Sequence, residues 1–177
     1  MPNFRNMLTV SASYTRPADT TAYAANDAIT DNTTAASATI LTFANAARRP
    51  GLGGRIVRAM IVDSAYVATN LLCDLFLFTV SPAGNADNAA LAVTDAELLN
   101  CFAVINMGAS GQAFPGLPTA GAGGNQIIIS AESNFGFKCA AGSTTVYGLL
   151  AARNAYVPVS GEIFTVILTV EQDAMLP

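Results

Sequence analysis

The chain has 177 residues, of which 52% are hydrophobic and only 11% are charged, and it carries a net charge of -4 with no histidine. An ordinary soluble domain has about 25% charged residues, so this uncharged surface favours contact with other proteins. The missing histidine removes the commonest general base and transition-metal ligand, and the acidic balance argues against a nucleic-acid partner, which requires many lysines and arginines.

We therefore expect no enzyme activity, no cofactor and no bound metal. The cysteines Cys73, Cys101 and Cys139 are widely spaced and odd in number, which is typical of neither a disulfide framework nor a zinc site. No apolar run approaches the roughly 20 residues of a membrane-spanning helix, and the first residues lack the apolar stretch of a signal peptide. We expect no membrane partner.

The chain is predicted to begin with an arm, residues 1–6, followed by one domain, residues 7–177. Its length is sufficient for a sizeable core. Residues 7–14 alternate apolar and other side chains, which is the period of a half-buried strand. A free arm at a terminus often reaches onto a neighbouring subunit or stays disordered.

Two further strands are predicted before the centre of the chain. Residues 22–29 form an uneven strand with a polar break at Asn26 and Asp27, and residues 38–43 form the next strand. Residues 47–54, rich in arginine and glycine, are predicted to be the loop that leads into the central stretch.

The central stretch contains two strand-forming runs, residues 55–63 and 71–80, whose connection is too short for a crossover helix. This spacing predicts an antiparallel hairpin, with Arg58 and Asp74 on one face at neighbouring positions. The pair is either an exposed contact of little energetic weight or a partly covered pair at a subunit interface. Because both faces of the hairpin are apolar, we expect a sandwich whose second face is covered by another element. The predicted interface residues are Arg58, Met60, Asp74, Phe76 and Phe78.

The second half of the chain supplies loops, one helix and more strands. Residues 81–90 are predicted to form a loop, and Thr94 and Glu97 fit a capping box that predicts a short helix over 95–99. The remaining predicted strands span residues 101–106, 126–132, 144–152 and 162–171. About eight strands with turn residues between them indicate an all-β fold. We predict a jelly-roll-like antiparallel β-sandwich with one short helix.

Motifs that would support chemistry are weak. The glycines of residues 51–54 are not followed by the lysine and hydroxyl residue of a phosphate loop, and residues 121–125 lack the third glycine of a dinucleotide turn. Asp87 and Asp95 could help to hold calcium, but they lack the dense alternation of oxygen ligands in a calcium loop. Loop capping is the simpler role for both carboxylates.

Three segments of the sequence carry a resemblance to a known family. They are SASYTRPADTTAYAANDAI over residues 11–29, FANAARRPGLGGRIVRAMIVDS over residues 43–64 and SPAGNADNAALAVTDAELL over residues 81–99. Together they resemble the capsid decoration, or cement, proteins encoded among the structural genes of tailed bacteriophages. The resemblance implies a β-sandwich subunit that is made in the host bacterial cytoplasm, trimerises and sits on the outside of the virion head. Its implied partners are the major capsid protein and its own copies.

Two basic or aromatic segments are then expected to face the capsid shell. One is the arm, with Phe4 and Arg5, and the other is the loop with Arg48, Arg49 and Arg55. Arginines around a loop can also form a local set of ion pairs with no external partner. The resemblance adds no catalytic residues to either segment.

The competing interpretation is a receptor- or glycan-binding head domain of a phage tail or fibre. That function would use the irregular stretch over residues 108–125, because long loops are often functional, together with exposed tyrosines that could stack on sugars. The tyrosines in question are Tyr23, Tyr66, Tyr147 and Tyr156.

Overall fold

The computed structural model describes residues 6–65, 71–107, 113–114, 126–129 and 133–173. The strands are β1 (Asn6–Thr15), β2 (Ala28–Ile29), β3 (Leu41–Phe43), β4 (Gly53–Asp63), β5 (Cys73–Phe78), β6 (Cys101–Met107), β7 (Ala113–Phe114), β8 (Gln126–Ile129), β9 (Phe135–Lys138), β10 (Val146–Ala152) and β11 (Ile163–Gln172). A short 3-10 helix spans Ala35–Ser37, and the α-helix α1 spans Asp95–Leu98.

Within these residues the strands form two antiparallel sheets. The first sheet has the order β1-β11-β4-β8-β7, and β9 also pairs with β4. The second sheet has the order β2-β10-β5-β6, and β3 also pairs with β10. The short strands β8 and β9 pair with different parts of β4, and β2 and β3 pair with different parts of β10. Each of these two sets of short strands therefore fills the place of one strand in its sheet.

Counted by position, the chain has the topology of a jelly roll. The first sheet holds positions 1, 8, 3 and 6, and the second holds positions 2, 7, 4 and 5. The chain therefore crosses between the sheets at every step except the step from β5 to β6. This is the arrangement of two interlocked Greek keys, and it confirms the predicted fold class.

The hydrophobic core lies between the two sheets and follows from strand alternation. On β11 the side chains of Phe164, Val166, Leu168 and Val170 are fully buried, while the residues between them point outward. From the second sheet the core receives Leu41, Phe43, Leu75, Leu77 and Leu150. Each fully buried side chain of this size contributes about 1.5–3 kcal/mol, which fixes the inward face of every long strand.

The predicted hairpin of residues 55–63 and 71–80 is wrong. β4 belongs to the first sheet and β5 to the second. Arg58 lies opposite Thr169, whereas Asp74 lies opposite Ala151, so the two charges are on different sheets. A connection of this length can close a hairpin or cross the roughly 10 Å between stacked sheets, and pairing with the distant strands β10 and β11 decides the outcome.

Most of the other predicted elements are confirmed. The differences are a predicted strand that is much shorter and short strands that were not predicted. The strand predicted over residues 22–29 is reduced to β2, and Tyr23 makes an isolated bridge with Tyr156. β7, which lies within the stretch predicted as irregular over residues 108–125, and β9 were not predicted. The capping box is confirmed, because the Glu97 backbone N–H donates to the Thr94 hydroxyl at 3.3 Å and the Thr94 backbone N–H donates to the Glu97 carboxylate at 2.8 Å.

Part of the outer face of the second sheet is covered by the connection from β5 to β6. Leu91 of this connection donates its backbone N–H to the carbonyl oxygen of Asn26 at 2.8 Å. The connection and the sheet enclose a groove of about 280 Å³. It is lined by Asn26, Asp74, Phe76, Leu91, Val93, Leu98 and Ala151. The expected covering element is therefore present on this sheet.

Candidate functional site

The two ends of the sandwich differ in how they use charged residues. The end at which β1 begins and β11 ends is called the basic end, and its members are Arg48, Arg49, Arg55 and Lys138. The opposite end, reached by the last residue of β4, is called the buried-polar end. Its members are Arg16, Tyr23, Asp63, Asp87, Tyr156 and Glu162.

The loop 44–52 at the basic end is fixed to the ends of neighbouring segments. The Ala47 backbone N–H donates to the carbonyl oxygen of Thr144 at 3.0 Å. The Gln172 side chain donates Nε2–H to the carbonyl oxygen of Asn45 at 2.8 Å. The loop therefore presents its side chains from a defined backbone.

Two glycines let β4 leave this loop between closely spaced neighbours. A Cβ at Gly53 would lie 2.0 Å from the carbonyl oxygen of Phe137, and a Cβ at Gly54 would lie 2.6 Å from the carbonyl oxygen of Glu171. No side chain fits at such distances, so the two glycines that begin β4 have a packing role rather than a role in binding phosphate.

The basic end carries exposed cations that have no partner within the described part of the chain. Arg48 and Arg49 are exposed on the loop, and Lys138 is exposed at the end of β9, opposite Gly53. Among the described residues, the side chains of these cations make no hydrogen bond or ion pair. Arg55 differs, because its guanidinium forms an ion pair with a Glu171 carboxylate oxygen.

The predicted shell-facing residues belong to this end as far as the structure describes them. Arg48, Arg49 and Arg55 lie there together. Phe4 and Arg5 lie outside the described residues, but the segment containing them joins β1 at Asn6. The structure adds Lys138, which the sequence could not place, since strand pairing brings it to this end.

The residues predicted for a subunit interface do not form one surface. Arg58 and Met60 lie on the outer face of the first sheet, with Arg58 Nη2 at 3.6 Å from Met60 Sδ. Asp74 and Phe76 lie on the outer face of the second sheet, where Asp74 pairs with Arg153 at 2.6 Å instead of with Arg58.

Phe78 is enclosed within the subunit and is not exposed on either outer face. The pairing of β5 with β6 shifts register between Leu77 and Phe78, and both side chains are fully buried. Phe78 pairs with the half-buried Tyr147 on β10 and is not part of the core cluster between the sheets, so it is covered rather than turned into the core. Its assignment to a subunit interface is therefore wrong.

A balanced network of buried charges forms one half of the buried-polar end. Arg16 Nη2–H donates to Asp87 Oδ2 at 2.7 Å, and their side chains are 0% and 1% exposed. The Tyr23 hydroxyl donates to Asp87 Oδ1 at 2.7 Å, and the Thr30 backbone N–H donates to the same oxygen at 2.9 Å. Arg16 also donates Nε–H to the Tyr23 hydroxyl. Positive and negative charge cancel, which buried ions require.

A second network, centred on Tyr156, forms the other half of this end. The Tyr156 ring stacks on Tyr23 with centroids 6.4 Å apart. Its hydroxyl lies 3.0 Å from Asp63 Oδ2 and is also hydrogen-bonded to Glu162 Oε1. Burial, together with the hydrogen bond to Glu162, raises the pKa of Asp63 to about 8. Burial and the neighbouring carboxyl group therefore favour the protonated form of Asp63.

Both networks are enclosed, which limits what they can do chemically. The carboxyl groups of Asp63 and Glu162 are 0% and 2% exposed, so a substrate does not reach them. Burial raises the pKa of the Tyr23 and Tyr156 hydroxyls, which stay protonated as hydrogen-bond donors. The arrangement fastens loops to the sandwich and offers no open reaction site.

Several residues considered in the sequence have a structural role instead. Tyr23 and Tyr156, which were candidates for sugar stacking, are buried, and this contradicts that role. Tyr66 lies outside the described residues, and Tyr147 is half-buried on β10. Asp87 neutralises Arg16 instead of contributing to a calcium site. Arg16 was missed because its partner lies 71 positions away in the sequence.

The described residues offer neither a cluster of metal ligands nor a disulfide. No group of three or more histidine, cysteine or carboxylate side chains is placed to hold a metal within the described residues. None of the described helices is long and apolar enough to cross a membrane. The cysteines form no disulfide, and burial raises the pKa of the Cys73 thiol.

Comparison with known proteins gives loose structural similarities, which include the following two. No protein-family model matches the chain, and no curated protein matches its sequence. The chain is similar to a chain of the capsid of Ralstonia phage GP4, with 14% identity and a TM-score of 0.36 over 99% of this chain and 90% of that chain. It is similar to a chain of Triatoma Virus (TrV), with 15% identity and a TM-score of 0.24 over 98% of this chain and 67% of that chain. Similarities at these scores assign neither a function nor a site.

Proposed function

We propose that this chain is a virion structural protein that decorates the outer surface of a phage head as a homotrimer, binds the major capsid protein and stabilises the shell. The observation that carries the proposal is the basic end. Its exposed cations Arg48, Arg49 and Lys138 gather where β1 begins and β11 ends, in a chain whose net charge is -4. The jelly-roll fold and the sequence resemblance to decoration proteins support the same role.

Exposed cations without internal partners suit attachment to another protein. They contribute little to the stability of their own subunit, and they are free to pair with carboxylates on the shell. Charges at the rim of an interface set the association rate and the orientation of the partners. Attachment through several copies raises avidity without new contacts, and binding only to the assembled shell stabilises it by mass action.

For the contact between subunits we propose the outer face of the first sheet, which contains Arg58 and Met60. From Met60 to Val62 on β4 and from Ile163 to Thr169 on β11 the outward side chains are uncharged, and Ile163 is 42% exposed. Arg55 and Glu171 form an ion pair towards the basic end of the same strands. The outer face of the second sheet suits this role less well, since Asp74 is already paired and Phe76 lies under the β5–β6 connection.

A pair of variants separates these two faces. Met60→Asp places a charge on the first face and should convert the trimer to monomers, whereas Phe76→Asp should leave the trimer intact. Sedimentation velocity measures the oligomeric state of both. The reverse pattern would move the contact to the second sheet, and a monomeric wild-type chain would contradict the trimer.

Attachment to the shell is tested with phage heads that lack this protein. The double variant Arg48→Ala with Arg49→Ala should bind such heads about tenfold more weakly or worse, a loss of about 1.4 kcal/mol. Arg153→Ala removes an arginine at the opposite end of the sandwich and is the matched control. Co-sedimentation with heads at increasing salt measures binding, which should weaken because the contact is exposed to screening. Equal binding by the double variant and the control would contradict the proposed surface.

A further inference from the structure

The Tyr156 hydroxyl contacts two carboxyl oxygens, although it has only one proton to donate. It lies 3.0 Å from Asp63 Oδ2 and is hydrogen-bonded to Glu162 Oε1. A phenol hydroxyl has one hydrogen to donate, so it can donate to only one of these carboxyl groups. The other contact is a hydrogen bond only if that carboxyl group carries a proton and donates it to the phenol oxygen.

No cation replaces that proton among the described residues. Asp63 Oδ1 accepts from the Ala65 backbone N–H at 2.8 Å, and Glu162 Oε2 accepts from the Val159 backbone N–H at 3.0 Å. Within the described part of the chain, neither carboxyl group contacts a lysine or arginine side chain. Two buried carboxylates that share one site cannot both ionise without a large cost.

The other titratable groups that surround the pair are already engaged. Tyr23 stacks on Tyr156 and bonds to Asp87. Arg16 donates its backbone N–H to the carbonyl oxygen of Glu162 at 2.8 Å, but its guanidinium belongs to the balanced network. On the remaining elements, the Tyr14 hydroxyl donates to the carbonyl oxygen of Ile29, and Arg153 pairs with Asp74.

We propose that the folded subunit holds one proton shared between Asp63 and Glu162 through Tyr156, and that this proton is a latch that fastens residues 153–162 to the end of β4. Loss of the proton at alkaline pH leaves two carboxylates facing one hydroxyl hydrogen. The segment 153–162 then loosens, and Tyr156 separates from Tyr23. The proposal does not depend on the function of the protein.

The latch determines the direction in which the stability of the subunit changes with pH. In the unfolded chain an aspartate ionises near pH 4, whereas the folded pKa of Asp63 is raised to about 8. Between these values the folded state binds more protons, so stability is highest at the acidic side and falls as pH rises. The ratio of folded to unfolded chain should fall roughly tenfold per pH unit. The chain has no histidine, so no unperturbed side chain titrates in the upper part of this window.

Denaturant unfolding of the full chain between pH 5 and 9 tests the latch. Wild type should show the decline, whereas Asp63→Asn should be flat, because its side-chain amide donates to the Tyr156 oxygen at every pH. Asp19→Asn, which changes a carboxylate paired with Arg16 at 3.5 Å, should keep the wild-type slope. A slope for Asp63→Asn as steep as that of wild type would overturn the proposal.

Infrared spectroscopy gives a second readout that needs no variant to fold. Folded wild-type protein should show the carbonyl stretching band of a protonated carboxyl group at pH 7, and the band should disappear above pH 9. If Asp63→Asn or Glu162→Gln folds, that variant should lack the band. The absence of the band from wild type at pH 7 would overturn the proposal.

Discussion

The two ends of this sandwich differ in whether their charged side chains are buried and paired or exposed. At the buried-polar end, Arg16 and Asp87 are almost completely enclosed, and each has a partner. At the basic end, Arg48 and Arg49 are exposed and have no partner among the described residues. Buried charges must be balanced inside the subunit, so the first end is explained by folding. The exposed arginines of the basic end contribute little to folding, so we attribute them to the binding of a partner protein.

The largest expected effect is a loss of stability when the charge balance at the buried-polar end is broken. Asp87→Ala leaves the Arg16 guanidinium buried without its carboxylate, and we expect the free energy of unfolding to fall by about 3–5 kcal/mol. Denaturant unfolding at pH 6 measures the change. Binding to heads should persist at temperatures where the variant remains folded, since the basic end is untouched.

The control for this prediction uses the same arginine. Asp19 also pairs with Arg16, but its side chain is 36% exposed. Asp19→Ala should therefore cost no more than about 1 kcal/mol. If Asp87→Ala and Asp19→Ala cost the same, burial is not what distinguishes the two ends.

The next effect concerns the backbone that supports the basic end. Gly53→Ala would place a Cβ 2.0 Å from the carbonyl oxygen of Phe137, and we expect this overpacking to cost about 1–3 kcal/mol. Gly136→Ala is the matched control on β9, because its Cβ would meet its nearest neighbour at 4.0 Å. Denaturant unfolding compares the two, and an equal loss in both variants would argue against a tight approach at Gly53.

A smaller effect provides a reference away from both ends. Thr94→Ala removes the hydroxyl that caps α1, and we expect a loss of about 1 kcal/mol. Hydrogen exchange should show faster opening of residues 95–98, with the amides of β4 and β11 unchanged. Loss of protection throughout the sandwich would mean that the helix is part of the cooperative core.

The smallest expected effect on stability is at the basic end itself. The double variant Arg48→Ala with Arg49→Ala should change the free energy of unfolding by no more than about 0.5 kcal/mol, although it weakens attachment to heads. A large loss of stability would show that these arginines have partners within the subunit. The two ends would then not differ in the way described above.

The sequence predicts those elements whose signal is local. β1 and β11 follow from alternation, because every second residue must enter the core. Thr94 and Glu97 predict α1 because both halves of the capping box lie within one helical turn. The approximate number of strands and the turn residues between them are enough to predict the jelly-roll class.

Features that depend on distant pairing could not be predicted in the same way. β4 and β5 are each consistent with a hairpin, and only their pairing with β11 and β10 assigns them to different sheets. β9 has only four residues, which are too few to give a periodic signal.

The two ends show the same limit for functional residues. Arg48, Arg49 and Arg55 could be grouped from the sequence because they are close along the chain. Lys138 joins them only through the register of β9 with β4. At the other end, the aspartate that balances Arg16 comes from a loop whose composition suggested only turns.

The most direct test of the proposed function is to locate this chain on its parent virion by cryo-electron microscopy. We expect regular trimeric density over the whole head, with the basic end against the shell and the buried-polar end facing solvent. Density confined to the tail tip would contradict it and favour receptor or glycan binding. Density on the head with the buried-polar end against the shell would keep the decoration role but refute the proposed contact.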